Sequence, residues 1–175
     1  MMAAVVEALQ TALPGAVEET TEFRDETTLV VGRERVLEVL AYLRDGATPR
    51  FEVLTDLTAV DRLPAVPRFE VVYLLTAYAP PARLRLKTRL AEADPVAPSA
   101  TGLWPAADWL EREVYDLFGI RFAGHPDLTR ILLPDDWEGH PLRKDYPLVE
   151  EPVEFVGRVP KVPSEIIPRV PPQGK

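Results

Sequence analysis

The sequence predicts an α+β fold: one mixed, mostly antiparallel sheet with helices packed on it, then a long ordered loop, then an extended Pro-rich C-terminal tail. Three observations carry this. RLRLKTRL (83–90) alternates strictly, with Leu84, Leu86 and Leu90 on one side and Arg83, Arg85, Lys87 and Arg89 on the other, the period of a strand with one face in a core. RERVLEVLAYLRDG (33–46) instead places Val36, Leu37, Leu40 and Leu43 at helical spacing. The elements follow one another as αββαβββ, an order that suits a single sheet with helices on one face.

In chain order, residues 3–13 read as a short helix with Val5, Val6, Leu9 and Leu13 on one side, stopped by Pro14-Gly15. Residues 17–23 and 27–31 are strands around a tight Arg24-Asp25-Glu26 turn. Gly46 suits a left-handed stop for the second helix. Residues 51–57 and 69–78 are strands, and FEVVYLLTAY (69–78) is apolar enough to be central. A connecting loop, 93–102, leads to the helix WPAADWLEREVYDLFG (104–119), with Pro105 at its first position, Gly119 just past its end, and Leu110, Val114 and Leu117 on one face. The pieces are then a sheet domain (1–92), a helix with a loop packed on it (93–150), and the tail (151–175).

The totals exclude several classes of function. The 175 residues hold no cysteine, so disulfides, thiolate-ligated iron–sulfur clusters and Cys zinc sites are impossible; the absence suits a reducing cytoplasm. A net charge of −8 argues against nucleic acid, whose phosphates need clustered Lys and Arg. No apolar run approaches the ~20 residues of a membrane span. The first residues, MMAAVVEALQTALPG, lack a basic start and contain Glu7, so they do not read as a signal peptide.

Each candidate constellation has a bland counterpart. Both histidines, His125 and His140, sit in Gly-His-Pro triplets. With Asp127, Asp135 or Asp136 they would make a metal site, but the spacing matches no known one, and histidines bonded to nearby backbone are the simpler reading. Glu111, Glu113 and Asp116 crowd one helix, where paired carboxylates can do acid–base work; Arg112, Arg143 and Lys144 are placed to neutralise them. Ser99 and Ser164 lie in proline-flanked loops without a nucleophile elbow, and no Gly-rich phosphate loop is present. The basic stripe of 83–89 carries no stacking aromatics and reads as a solvent face rather than an RNA platform.

The segment 119–150 has no period, yet carries Phe122, Leu128, Ile131, Leu132, Leu133, Trp137, Leu142, Tyr146 and Leu148, too apolar for a disordered linker. Its prolines fix φ, and its aromatics and arginines are the residues that protein-binding surfaces use. The tail, with six prolines between 151 and 175, reads as an extended strap with apolar anchors that docks on a partner.

Over 110–148, LEREVYDLFGIRFAGHPDLTRILLPDDWEGHPLRKDYPL, the chain resembles the signature of the 30-kDa subunit family of NADH:quinone oxidoreductase, respiratory complex I. Its three blocks occur in order, and TDLTAVD (55–61) and TGLWPAADWLERE (101–113) extend the likeness to residues 50–148. Asp108 stands where the family usually has Asn, and Arg62 where an aromatic is common. The resemblance implies a non-catalytic peripheral-arm subunit of a proton-translocating enzyme, held at the cytoplasmic side of the cell membrane. It implies no cofactor in this chain, with FMN and Fe–S clusters on partner subunits. Its expected partners are other complex I subunits, chiefly the homologue of the 49-kDa subunit, then the iron–sulfur-bearing subunits B and I. The expected docking residues are Glu111, Arg112, Glu113, Tyr115, Asp116, Phe118, His125, Arg130, Trp137, His140, Arg143, Lys144, Asp145 and Tyr146. The same motif also fits the equivalent subunit of a membrane-bound hydrogenase or an F420-linked complex, and a free His/carboxylate metalloenzyme is the alternative from another class.

Overall fold

The computed structural model describes residues 2–147. Helix α1 (Met2–Ala12) leads into the hairpin of β1 (Val17–Phe23) and β2 (Glu26–Val31). A 3-10 turn (Arg33–Arg35) opens α2 (Val36–Asp45). β3 (Val53–Asp61), β4 (Phe69–Tyr78) and β5 (Pro81–Leu90) follow, then β6 (Val96–Pro98), α3 (Ala107–Phe118) and β7 (Arg121–Ala123). Five strands form one sheet in the order β1-β2-β5-β4-β3. Neighbours are antiparallel except β2 and β5, which run parallel with Leu29 opposite Leu86. This is the mixed, mostly antiparallel sheet that the alternation predicts.

The alternation also sorts the faces. Phe69, Val71, Tyr73, Leu75 and Ala77 of β4 join Leu84, Leu86 and Leu90 of β5 in one apolar cluster with Val5 and Leu9 of α1, Val39, Leu40 and Leu43 of α2, and Val114 and Phe118 of α3. On the other face of β5, Arg85, Lys87 and Arg89 pair with Glu26, Glu70 and Glu19. Three of the four cations of the stripe are thus neutralised within the chain, and the stripe is a solvated sheet surface. The cluster holds residues from both sides of residue 92, so the sheet and α3 share one core.

Several details differ from expectation. The buried stripe of α2 uses Val39, with Leu37 only half-buried. Gly46 ends α2 at φ −107° rather than in the left-handed region, its amide and that of Ala47 both reaching the Tyr42 carbonyl. α3 begins at Ala107, after a turn in which the Ala107 and Asp108 amides reach the carbonyls of Trp104 and Pro105. Its buried face is Ala107, Glu111, Val114 and Phe118, with Leu110 and Leu117 half-buried. The rotation is polar in origin, because Glu111 is held inward by the 99–101 loop. The 93–102 segment, expected to be a connecting loop, contains β6, which pairs in parallel with β7; strands of three residues, one of them preceded by Pro95 and ending in Pro98, show no alternation to read. The predicted tail, 151–175, and residues 148–150 lie outside the described residues.

The β1–β2 turn is two residues long, since Phe23 faces Glu26. Arg24 and Asp25 both have positive φ, 52° and 64°, as a type I′ turn requires. That conformation costs a non-glycine residue roughly 1–2 kcal/mol, offset in part by the entropy that glycine loses on folding. The double change Arg24→Asn, Asp25→Gly should therefore raise unfolding free energy by about 1 kcal/mol and Tm by about 2–4 °C. Urea and thermal melts check this; an unchanged or lower midpoint contradicts it.

Candidate functional site

The last four carbonyls of a helix have no partner within it, and at α3 irregular chain supplies three of the four donors. The Tyr115 carbonyl takes the Gly119 amide at 2.9 Å. The Asp116 carbonyl takes His140 Nδ1–H at 2.8 Å, the Leu117 carbonyl the Leu142 amide at 3.1 Å, and the Phe118 carbonyl Arg143 Nε–H at 2.6 Å. Gly-His-Pro-Leu-Arg (139–143) thus forms a plug for one helix end, with a guanidinium where the helix dipole favours a cation. Gly119 makes this possible. It has φ +70°, and a Cβ there would lie 2.5 Å from the His140 ring and 2.6 Å from Arg143 Nη2.

One turn back, the fully buried Asp116 carboxylate gathers the preceding stretch. Its Oδ2 accepts the amides of Ile131, Leu132 and Leu133 at 3.1, 2.8 and 2.9 Å. Its Oδ1 accepts Arg130 Nη1 at 2.7 Å. Three successive amides converging on one oxygen make an anion nest. Burial alone would raise this pKa, but the amides of Leu133, Leu132 and Ile131 and the Arg130 guanidinium outweigh it and hold the group down to about 2. Arg130 then reaches the carbonyls of Trp137 and Gly139 at 3.0 and 3.4 Å, tying the nest to the plug. Among the described residues the cation paired with Asp116 is Arg130, not the expected Arg112, Arg143 or Lys144.

A second buried pair fixes the far end. Asp61, at the inward-facing end of β3, holds Arg68 through two bonds of 3.0 and 2.7 Å and accepts the Leu63 and Lys144 amides at 2.9 Å each. Arg68, 3% exposed, also binds Asp145 through two bonds of 3.0 and 2.6 Å and Glu92 at 2.6 Å. Arg68 hydrogen bonding, against an opposing burial effect, holds the Asp61 carboxyl well below the usual range; its partners push the guanidinium up, Asp61 first. The Phe69 ring lies 4.9 Å from the Arg68 guanidinium and 5.3 Å from that of Arg143.

The expected docking residues divide into two groups. Glu111, Asp116 and Phe118 are turned inward, and burial denies them direct contact with a partner; they hold the loop instead. Glu111 accepts the Ala100 amide at 2.6 Å and the Ser99 hydroxyl at 2.7 Å. Burial, with no cation bonded to it among the described residues, pushes its pKa up. Arg112 binds the carbonyls of Thr129 and Arg130, both at 3.1 Å. His125 donates through Nε2 to the Asp108 carbonyl at 3.2 Å and accepts the Asp127 amide at 3.0 Å. His140 lies 6.3 Å from the Tyr115 ring, and burial is the main cause that lowers its pKa. Tyr146 packs on Gly139, its hydroxyl reaching the Glu138 carbonyl at 3.4 Å. Glu113, Lys144 and Asp145 are exposed, and Trp137 is half-buried. Both imidazoles thus bond to backbone, and no group of three or more His, Asp or Glu side chains among the described residues is placed to hold a metal ion. Sequence reasoning missed Arg68 and Glu92, and considered Ser99 only as a nucleophile. The signal for Arg68 was Asp61, which follows Leu57 and Ala59 at an inward strand position and so demands a cation.

Residues 29–152 match the family described as respiratory-chain NADH dehydrogenase, 30 Kd subunit. The chain belongs to that family. A Roseiflexus sp. (strain RS-1) protein named as a subunit of NADH-quinone oxidoreductase is 50% identical over 153 residues, covering 87% of this chain and 88% of that protein. A relative of the same name in Citrifermentans bemidjiense is 54% identical over 140 residues, covering 80% and 86%. The chain spans only 64% of the length of another so named, from Salinispora arenicola, at 49% identity over 87% of this chain. Among solved structures, a trypsin-resistant fragment (1–134) of Nqo5 matches with TM-score 0.63 and 34% identity, over 73% of this chain and 98% of that one. A chain of the membrane-bound sulfane sulfur reductase, an archaeal respiratory membrane complex, matches with TM-score 0.72 and 25% identity, over 85% and 86%.

The buried carboxylates give opposite pH signs. Asp116 has a folded pKa near 2 against about 3.9 unfolded, so its contribution is present above pH ~4 and lost as pH falls towards 2. Glu111 is raised, so its contribution is full below the ordinary carboxylate range and is lost as pH rises. At pH 7, Asp116→Asn should cost about 3 kcal/mol, as breaking one side of a buried pair does. Glu111→Gln, which can accept from Ala100 and donate to Ser99, should stay within about 1 kcal/mol and gain on the wild type as pH rises. Urea titrations between pH 3 and 8 check both. Equal losses for the two variants at pH 7 contradict this assignment. Gly119→Ala should cost about 2 kcal/mol or more through strain and collision, read in the same titration; a neutral outcome contradicts the plug geometry.

Proposed function

We propose that this chain is a non-catalytic peripheral-arm subunit of a proton-translocating NADH:quinone oxidoreductase, docking on the homologue of the 49-kDa subunit beside subunits B and I and supporting assembly and electron transfer to quinone. The family match over 29–152 and the names of the relatives support the enzyme. The single observation that carries the non-catalytic role is how the signature spends its polar groups. His140, Arg143, Arg130 and Asp116 are committed to closing α3 and holding the loop, which leaves a rigid surface rather than a reactive one. The sequence holds no cysteine, so thiolate-ligated clusters belong on neighbours; that flavin lies there too is what the family resemblance implies. No described helix is long and apolar enough to cross a membrane, in keeping with a peripheral position, for which we take the cytoplasmic side. The likeness to a chain of the sulfane sulfur reductase supports a second reading, the equivalent subunit of a related respiratory complex with another electron donor.

A tag on this chain in its native cell should recover the other complex I subunits, together with NADH oxidation, in one particle. The purified chain alone should show no flavin or cluster absorbance in the visible range. Stoichiometric absorbance from the chain alone contradicts the proposal, and recovery of a complex without a flavin subunit selects the second reading.

A further inference from the structure

Three of the exposed large apolar side chains belong to α3 and the loop after it: Trp109 at 60%, Leu132 at 60% and Leu142 at 51%. Their placement follows from the bonds already described. Arg112 stacks 5.1 Å from the Trp109 ring and holds the carbonyls of Thr129 and Arg130. Further along the helix, Asp116 holds the Leu132 amide, and the Leu117 carbonyl holds that of Leu142. From Trp109 to Leu117 the helix advances about 12 Å, so the backbone bonds anchor these three residues along a ridge roughly two turns of α3 long. Its backbone is fixed from beneath. Trp and Arg on an ordered base are the side chains that dominate binding energy in protein interfaces, and preorganisation lowers the entropy lost on docking.

The surrounding charge limits what can sit there. Glu113, Asp127, Asp135, Asp136 and Glu138 are exposed and form no ion pair among the described residues. The nearby guanidinium groups of Arg112 and Arg130 are engaged by carbonyls and Asp116, leaving Arg121 and Lys144 as the exposed cations of this region. A second copy meeting this face symmetrically would set these acids against themselves, and nucleic acid would be repelled. We propose that the Trp109–Leu132–Leu142 ridge is the docking surface for a different protein subunit, one that presents an apolar recess edged by lysine and arginine. This rests on the subunit reading above and names the chemistry of the partner surface.

The test replaces the native chain with tagged versions and measures how much of the complex each recovers at increasing salt. Trp109→Ala with Leu132→Ala should lower recovery roughly tenfold or more. Glu113→Lys with Asp136→Lys should lower it as well, most at low salt. Arg83→Glu, on the outer sheet face, should leave it unchanged. Each purified full-length chain should melt within about 2 °C of the wild type, since these are exposed positions. Full recovery of both double variants overturns the ridge, as does loss with the apolar pair accompanied by a matching fall in melting temperature and normal recovery of the charge-reversed pair. Recovery of a second copy of the chain through this face overturns it too. A wild-type chain that recovers no other subunit instead removes the subunit reading itself.

Discussion

The last four carbonyls of α3 have no partner within the helix, and the helix ends against the core at Phe118 and Ile120, so each carbonyl must find a donor. Only the first is satisfied by the helix's own exit turn, through the Gly119 amide. The others require His140, Leu142 and Arg143 to return from beyond the end of the helix. That requirement explains why a stretch with neither helical nor strand period is ordered at all. It is held to the helix as a plug and, through Asp116, as a nest of amides. A loop fixed in this way needs no regular backbone pairing, and its exposed side chains stand at defined positions.

The charges follow from the same constraint. A buried carboxylate is costly unless amides and a cation meet it, and Asp116 and Asp61 each receive both. The two pairs pin the loop at opposite ends, Arg130 beside α3 and Arg68 beneath Asp145. Arg68 also bridges β3 to Glu92 after β5, so the end of the loop is fastened to the sheet as well as to the helix. Glu111 stands apart. It is buried, its raised pKa reflects that burial, and its bonds go to an amide and a hydroxyl rather than a cation. Its place in the structure is to turn α3 so that Val114 and Phe118 face the core.

The sheet was legible because alternation is a direct record of which side chains face the core: Leu84, Leu86 and Leu90 against Arg83, Arg85, Lys87 and Arg89. The family was legible in the motif over 110–148. The roles within the motif were not. A one-dimensional pattern marks Glu111, Asp116 and Arg143 as charged and therefore outward, whereas each is bonded inward by groups distant in the chain. Apolar spacing assigns Leu110 and Leu117 to the buried face of α3 because it cannot register a carboxylate that the 99–101 loop solvates. β6 and β7 are too short to show a period. Asp61 at an inward strand position was the clearest unread signal, since it required a cation that proved to be Arg68.

Closed by the plug and the Asp116 nest, α3 and the irregular segment after it form one cooperative unit. Amide hydrogen exchange of the native protein tests this most directly. The amides of Ile131, Leu132, Leu133 and Leu142 should exchange slowly despite lying outside any helix or strand, with opening free energies close to those of the last turn of α3. Exchange of these four at the rate of an unstructured peptide, while α3 remains protected, would mean that the segment opens independently of the helix.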